Sequence, residues 1–205
     1  MHAHISFAHP VRDSFTGKLL DALISGLDDA GHTHTVSDLY AMGFDPVMGV
    51  GQYRRESRLL ADEPVPDDVA AEQAKLEAAD AWIFLYTVWW SDCPAILKGW
   101  FDRVWTVGYA YDPGHNKPGA GEEPDHIVAN QHVVEKALAV CTAGHSEDEL
   151  RATGLFQAME AVMLQDRIGT RAKDKQFVVI GGSSAREQQL DRAYHLGLEL
   201  GQDRR

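Results

Sequence analysis

The sequence predicts an α/β protein: a doubly wound, five-stranded parallel sheet with helices on both faces, in a single domain over residues 1–205. Three observations predict it. Short apolar segments of strand length alternate with segments whose apolar residues repeat at helical spacing, and no hairpin signal joins any two strands. Residues 81–86, AWIFLY, are continuously apolar, as a strand covered on both faces must be. The length of 205 residues, with 44% hydrophobic and 24% charged, suits one enclosed core and gives no sign of disorder or repeats.

In order along the chain, residues 5–8 form a short apolar strand stopped by His9-Pro10. Phe15, Leu19, Leu20, Leu23, Ile24 and Leu27 then mark one face of a helix that Gly31 ends. Residues 33–39 fit a second strand. Residues 40–66 are punctuated by Gly and Pro and carry Arg54, Arg55 and Arg58, which reads as a long excursion with at most short helices. Residues 67–79 are good helix formers and lead into the 81–86 strand. A helix then runs from Pro94 to about Thr106, with Pro94 in its first turn and Asp92 or Ser91 as cap. Its stripe of Ile96, Leu97, Trp100, Phe101, Val104 and Trp105 is more aromatic than one sheet face needs, which points to a second subunit. A Gly/Pro-rich loop at 108–124 precedes a strand at 137–142, a helical region at 147–166, a strand at 176–180 and a terminal helix at 185–200. Gly181-Gly182-Ser183-Ser184 is the turn into that last helix.

Charge narrows the function. With 31 acidic against 19 basic residues, the net charge of −12 repels nucleic acid and anionic lipid, so neither is an expected partner. An anionic cofactor would need backbone N–H groups or a local arginine. No export signal is visible, no apolar run approaches the ~20 residues of a membrane helix, and two cysteines, Cys93 and Cys141, read as free thiols; the expected location is the cytoplasm. His2 and His4 lack further ligands at metal spacing, and no dinucleotide or P-loop glycine pattern follows the first strand.

Ligands of such sheets bind outside the carboxyl ends of the strands, here the loops after Ala8, Tyr86 and Thr142. In the first loop, Ser14 and Thr16 at a helix start, with Arg12 nearby, make either an anion site or a simple N-cap. In the second, TVWWSDCP, Trp89 and Trp90 either wall a planar ligand whose heteroatoms bond the loop's N–H groups, or cover the core or an interface. The third, TAGHSED, has the small residues of a backbone-lined cradle. It only superficially resembles a nucleophile elbow, since Asp148 stands where that motif needs glycine.

Four motifs then carry a resemblance: AHP-x-x-x-SF at 8–15, SDLYAMGFDP at 37–46, EQAKLEAAD at 72–80 and WW-x-x-x-PAILKGWFDRV at 89–104. The chain resembles the flavodoxin-like NAD(P)H:quinone oxidoreductases, the DT-diaphorase group and its bacterial relatives, over most of residues 1–112 and the terminal strand and helix. The 114–175 stretch matches poorly. The resemblance implies a homodimeric flavoenzyme that passes a hydride from NADPH or NADH to a quinone by ping-pong turnover. It implies FAD as cofactor, with FMN the alternative. His9, Ser14, Phe15 and Thr16 would hold the ribityl and phosphate part. Thr87, Val88, Trp89, Trp90 and Ser91 would run along the isoalloxazine, Thr142, Ala143 and Gly144 would meet its far edge, and Arg186 would lie near the adenine end. Trp90 would also bound the space where nicotinamide and quinone alternate, and Tyr111 would complete the site of the other chain. The family has proline at Thr87 and an aromatic at Ser91, so the pocket should be roomier or more polar. Glu149 stands at the position of a family tyrosine and no histidine follows it, which leaves His145 or water for any proton transfer. Other readings are a reductase of azo, nitro or dedicated quinone substrates, and a non-catalytic regulatory subunit.

Overall fold

The computed structural model describes residues 1–111, 132–182 and 185–202. Strands β1 (His2–Ala8), β2 (Thr33–Asp38), β3 (Ala81–Thr87), β4 (Val134–Ala143) and β5 (Ala172–Gly181) form a parallel sheet in the order β2-β1-β3-β4-β5. The winding reverses at the junction of β1 and β3, with β2 on one side of β1 and β3 to β5 on the other, and right-handed crossovers therefore send helices to both faces. The expected strands are all present. β1, β4 and β5 extend beyond their apolar centres, because ladder bonds to a neighbour hold polar residues such as Lys136 and Asp174 in extended form.

Alternation along the strands divides the core in two. Ala81, Ile83 and Leu85 face helices α1 (Phe15–Asp29) and α7 (Arg186–Leu198), with Leu19, Leu23 and Leu27 fully buried against them. Trp82, Phe84 and Tyr86 face the other way, toward α3 (Asp67–Glu77) and α4 (Ala95–Val104).

The aromatic stripe of α4 is absorbed on this second face. Trp100 is completely buried, its ring centroid 5.8 Å from Phe84, and Phe101 lies 5.0 Å from Phe84. The indole N–H groups find partners inside the same chain: Trp100 donates to Glu72 Oε2 at 2.9 Å and Trp105 to the Arg167 carbonyl at 2.6 Å. The stripe is therefore no argument for a second subunit. The start of α4 also differs from expectation. Pro94 is the N-cap with φ −59° and ψ 151°, and the Asp92 carboxylate accepts from Cys93 N–H instead of capping the helix.

Helix α2 (Val50–Ser57) is the short helix of the 40–66 excursion, and Arg55 is buried there, donating to the carbonyls of Ala61, Glu63 and Val107. The 147–166 region is three pieces: α5 (Glu147–Ala152), α6 (Leu155–Ala161) and a π-helix (Val162–Arg167). Gly154, with φ 78°, breaks the first two apart. Among the described residues no helix is long and apolar enough to cross a membrane.

Candidate functional site

At the carboxyl end of β1 the chain turns through residues 9–14 into α1. Ser14 is the N-cap: its Oγ accepts from Gly17 N–H at 3.1 Å and its carbonyl from Lys18 N–H at 3.0 Å. The Phe15 and Thr16 N–H groups keep no partner among the described residues, at the positive end of a 15-residue helix. His9 Nδ1 faces the Val11 backbone, 2.8 Å from its carbonyl oxygen and 3.1 Å from its nitrogen. Arg12, expected as an anion ligand, is engaged elsewhere: it pairs with Asp21 and donates to the Gly17 carbonyl at 3.0 Å. Glycine is required at 17, because a Cβ there would lie 1.8 Å from the Arg12 carbonyl oxygen.

Thr142, near the end of β4, ties the three loops together. Its hydroxyl meets that of Thr16 at 2.9 Å in a buried contact, and its carbonyl accepts from Val88 N–H at 2.8 Å. Thr87 lies opposite it in the ladder, and Ala143 lies opposite Gly181. A Cβ at Gly181 would come within 2.3 Å of the His145 carbonyl, so the bare end of β5 lets the third loop pack down. Beyond, Ser146 and Glu149 form a capping box: Ser146 N–H donates to Glu149 Oε2 at 2.7 Å and Glu149 N–H to Ser146 Oγ at 3.3 Å. Glu149 thus serves the end of α5, and its carboxyl is held below the usual carboxylate range by the Ser146 N–H and hydroxyl. Gly144 and His145 are exposed, with no partner for their own N–H groups among the described residues; the His145 ring stands 3.8 Å from Glu149.

The second loop holds the least expected geometry. Trp89 N–H donates to the Asp92 carbonyl at 2.9 Å and Asp92 N–H to the Trp89 carbonyl at 3.2 Å, closing a tight turn. Its two central residues, Trp90 and Ser91, are left-handed, with φ 52° and 59°. That pair of positive φ values defines the mirror-image turn in which Asn-Gly is usual, and it costs an ordinary L-residue about 1–2 kcal/mol. The Val88, Trp89 and Asp92 N–H groups are engaged, so of this loop's central amides Trp90 and Ser91 are those without a partner among the described residues. The Trp90 side chain is fully exposed and Trp89 is half-exposed.

Sequence reasoning missed what grips this turn. Arg167, 5% exposed at the end of the π-helix, binds Asp92 through two parallel bonds of 2.7 and 2.9 Å and donates to Cys93 Sγ at 3.2 Å. Its guanidinium also lies 5.3 Å from the Phe101 ring centroid. Burial alone would raise the Asp92 carboxyl; the Arg167 bonds and the Cys93 N–H outweigh it and hold the group below the usual carboxylate range. Burial pushes the Cys93 thiol up to about 12, against the pull of Arg167. The sequence offered no signal for this grip, since Asp92 is half-exposed and a carboxylate at such a position does not require a cation. Nothing there distinguished Arg167 from Arg151, Arg171 or Lys175.

Two predicted residues lie apart from the loop amides. Arg186, exposed at the start of α7, sits 5.4 Å from the Phe15 ring centroid, beside the first loop as expected. Tyr111 does not join the three loops: its hydroxyl donates to Glu56 Oε2 at 3.0 Å, and burial followed by Glu56 pushes it up to about 12. It lines a separate cavity beside α4 with Lys98, Trp105 and Arg171.

NAD(P)H dehydrogenase (quinone) 1 of Cavia porcellus is 41% identical over 189 residues, which cover 82% of this chain and 62% of that protein. Ribosyldihydronicotinamide dehydrogenase-like protein traD of Penicillium crustosum is 32% identical over 180 residues, covering 80% and 65%. The chain thus spans less than two thirds of the length of either relative. The solved structure of an NAD(P)H:quinone oxidoreductase from Methanothermobacter marburgensis superposes with a TM-score of 0.86 at 43% identity, covering 100% of this chain and 98% of that one. A family model described as flavodoxin-like fold matches residues 1–194. Because that match runs through every strand of the sheet and into the terminal helix, the chain belongs to the flavodoxin-like fold family.

Proposed function

We propose that the chain is a flavin-dependent NAD(P)H:quinone oxidoreductase that handles donor and acceptor in turn at one site. The observation that carries this is Thr142, which binds the first loop through its hydroxyl and the second through its carbonyl, so that three segments distant in sequence share one mouth. The donor set fits a flavin. Phe15 and Thr16 offer N–H groups to a phosphate at a helix N-terminus, and Trp90, Ser91, Gly144 and His145 offer N–H groups to the polar edge of a ring. Trp89 and Trp90, both exposed, supply flat apolar surface against which a planar ring can lie.

A bound flavin supplies the two-electron carrier between nicotinamide and quinone. The chain's residues bind and orient. The first-turn amides hold the phosphate, the tryptophan pair limits approach to one face, and the loop amides place partial positive charge where the ring edge becomes negative. Ser91, with its small side chain, leaves room for a larger or more polar acceptor. At the third loop Glu147 is paired with Arg151 and Glu149 is held in the Ser146 capping box, and exposed His145 is the group to which we assign proton transfer, at its ring nitrogen. FAD is the favoured flavin, since Arg186 lies beside Phe15 where a second phosphate and an adenine would pass. A homodimer belongs to this reading too. Its support is the exposed Trp89–Trp90 pair, which a second chain carrying Tyr111 would cover.

The test is spectral and kinetic. The purified protein should show absorption bands near ~370 and ~450 nm and should oxidise NADH or NADPH with a benzoquinone in parallel-line kinetics. Absence of the bands from protein that has been given flavin and then freed of the unbound excess would refute flavin binding, and intersecting lines would refute the shared site.

A further inference from the structure

We propose that Arg167 is a positioning residue for the quinone reductase site: its clasp on Asp92 keeps Trp90 and Ser91 in their left-handed turn. The proposal rests on the function proposed above and adds a residue from the part of the chain where the family motifs are silent. A turn with Trp and Ser at φ 52° and 59° does not hold itself, because both residues favour negative φ when released. Asp92 is the residue that closes the turn, through its own N–H and carbonyl to Trp89. The same residue's carboxylate is gripped from both sides, by the two Arg167 bonds and by Cys93 N–H at 2.7 Å.

Arg167 is itself fixed. Its carbonyl accepts from the Trp105 indole at 2.6 Å and its guanidinium lies against Phe101, so its orientation is set by α4. The π-helix ends at this residue, and its Ile168 N–H bonds the Met163 carbonyl at 2.9 Å, one residue further back than in an α-helix. The clasp therefore couples the packed aromatic face of the sheet to the ring and amides offered to ligand. Losing it should leave the fold in place and release Trp90.

The experiment uses full-length protein labelled with 15N-tryptophan, with the Trp90 amide and indole signals identified by their loss in Trp90→Phe. In Arg167→Gln the Trp90 signals should move and its strong intraresidue HN–Hα contact, the mark of positive φ, should vanish, while Trp82 and Trp100 hold their shifts. KM for a benzoquinone should rise about tenfold with kcat nearly unchanged, as when binding geometry alone is lost. Asp92→Asn, which keeps the Cys93 bond, should show a smaller change in the same direction and serves if Arg167→Gln does not fold. Adding Ser91→Gly to Arg167→Gln should move the Trp90 signals back and return KM toward that of Ser91→Gly alone, because glycine at the second central position removes the strain at one of the two left-handed residues that the clasp opposes. A purely structural arginine would not be rescued by a loop glycine. Unchanged Trp90 signals in both clasp variants would overturn the proposal, as would a lost turn with KM unmoved. A wild-type protein without flavin or quinone turnover would refute the proposed function alone, and the NMR result would still decide the clasp.

Discussion

Thr142 contributes two different atoms to the site, and they can be tested apart. Thr142→Val removes the hydroxyl bond to Thr16 and keeps the carbonyl that holds Val88; it should cost about 1 kcal/mol in urea unfolding and weaken flavin retention without moving the second loop. Ser91→Gly is expected to go the other way and stabilise by roughly 1 kcal/mol, since relief of the left-handed strain exceeds the added chain entropy of glycine. At Arg186 the discriminating measurement is ligand choice. If denaturation releases FAD, Arg186→Ala should weaken FAD binding and leave affinity for added FMN nearly the same; FMN as the only released flavin would remove the adenine role from this arginine. Individual residues were legible in the sequence where they do local work. Ser14 before an amphipathic run announces a cap, whereas the left-handed Trp90 and Ser91 are held by a partner 75 positions from Asp92, and no local pattern encodes that.

Among the elements, α1 shows how little room the first loop has. Gly17→Ala would drive a methyl into the Arg12 carbonyl at 1.8 Å, so the loop must lift and carry the Phe15 and Thr16 amides with it. The expected outcome is a near-complete loss of bound flavin, read from the absorption of the purified variant, with little loss of helical circular dichroism. Strands and long helices were legible because their periodicities of 2 and 3.6 are properties of the local chain. The aromatic stripe of α4 was legible as a stripe and misread in its destination: how much aromatic surface β3 presents, with Trp82 and Phe84 on the same face, depends on which strands lie beside it. The π-helix had no signature at all, since its wider i to i+5 bonding is set by packing on β5 and α4 and not by composition.

For the molecule as a whole, acid sensitivity should trace to a residue far from the ligand loops. His4 is buried on β1 with Nδ1 on Thr35 Oγ1 at 2.9 Å and Nε2 without a partner. Burial lowers it to about 4, Glu72 pulling it up and Lys75 and His2 pushing it down. The unfolded chain takes up this proton below about 6.5 and the native state only near 4, so stability falls as pH drops through that window. The span is worth roughly 3 kcal/mol. His4→Gln should flatten the change in urea midpoint between pH 7 and pH 4.5; an unaltered slope would assign the acid limb to other groups. Light scattering at twice the 22.7 kDa chain mass would support the dimer, and a fully active monomer would remove it. The Thr142 carbonyl has one more consequence. Its partner, the Val88 amide, can be shielded from solvent only while β4 and the second loop are together. Its hydrogen-exchange rate is therefore a single-atom clock for assembly of the site. It should slow when flavin is added, and by more than amides in the centre of β3, which are already protected in the ladder.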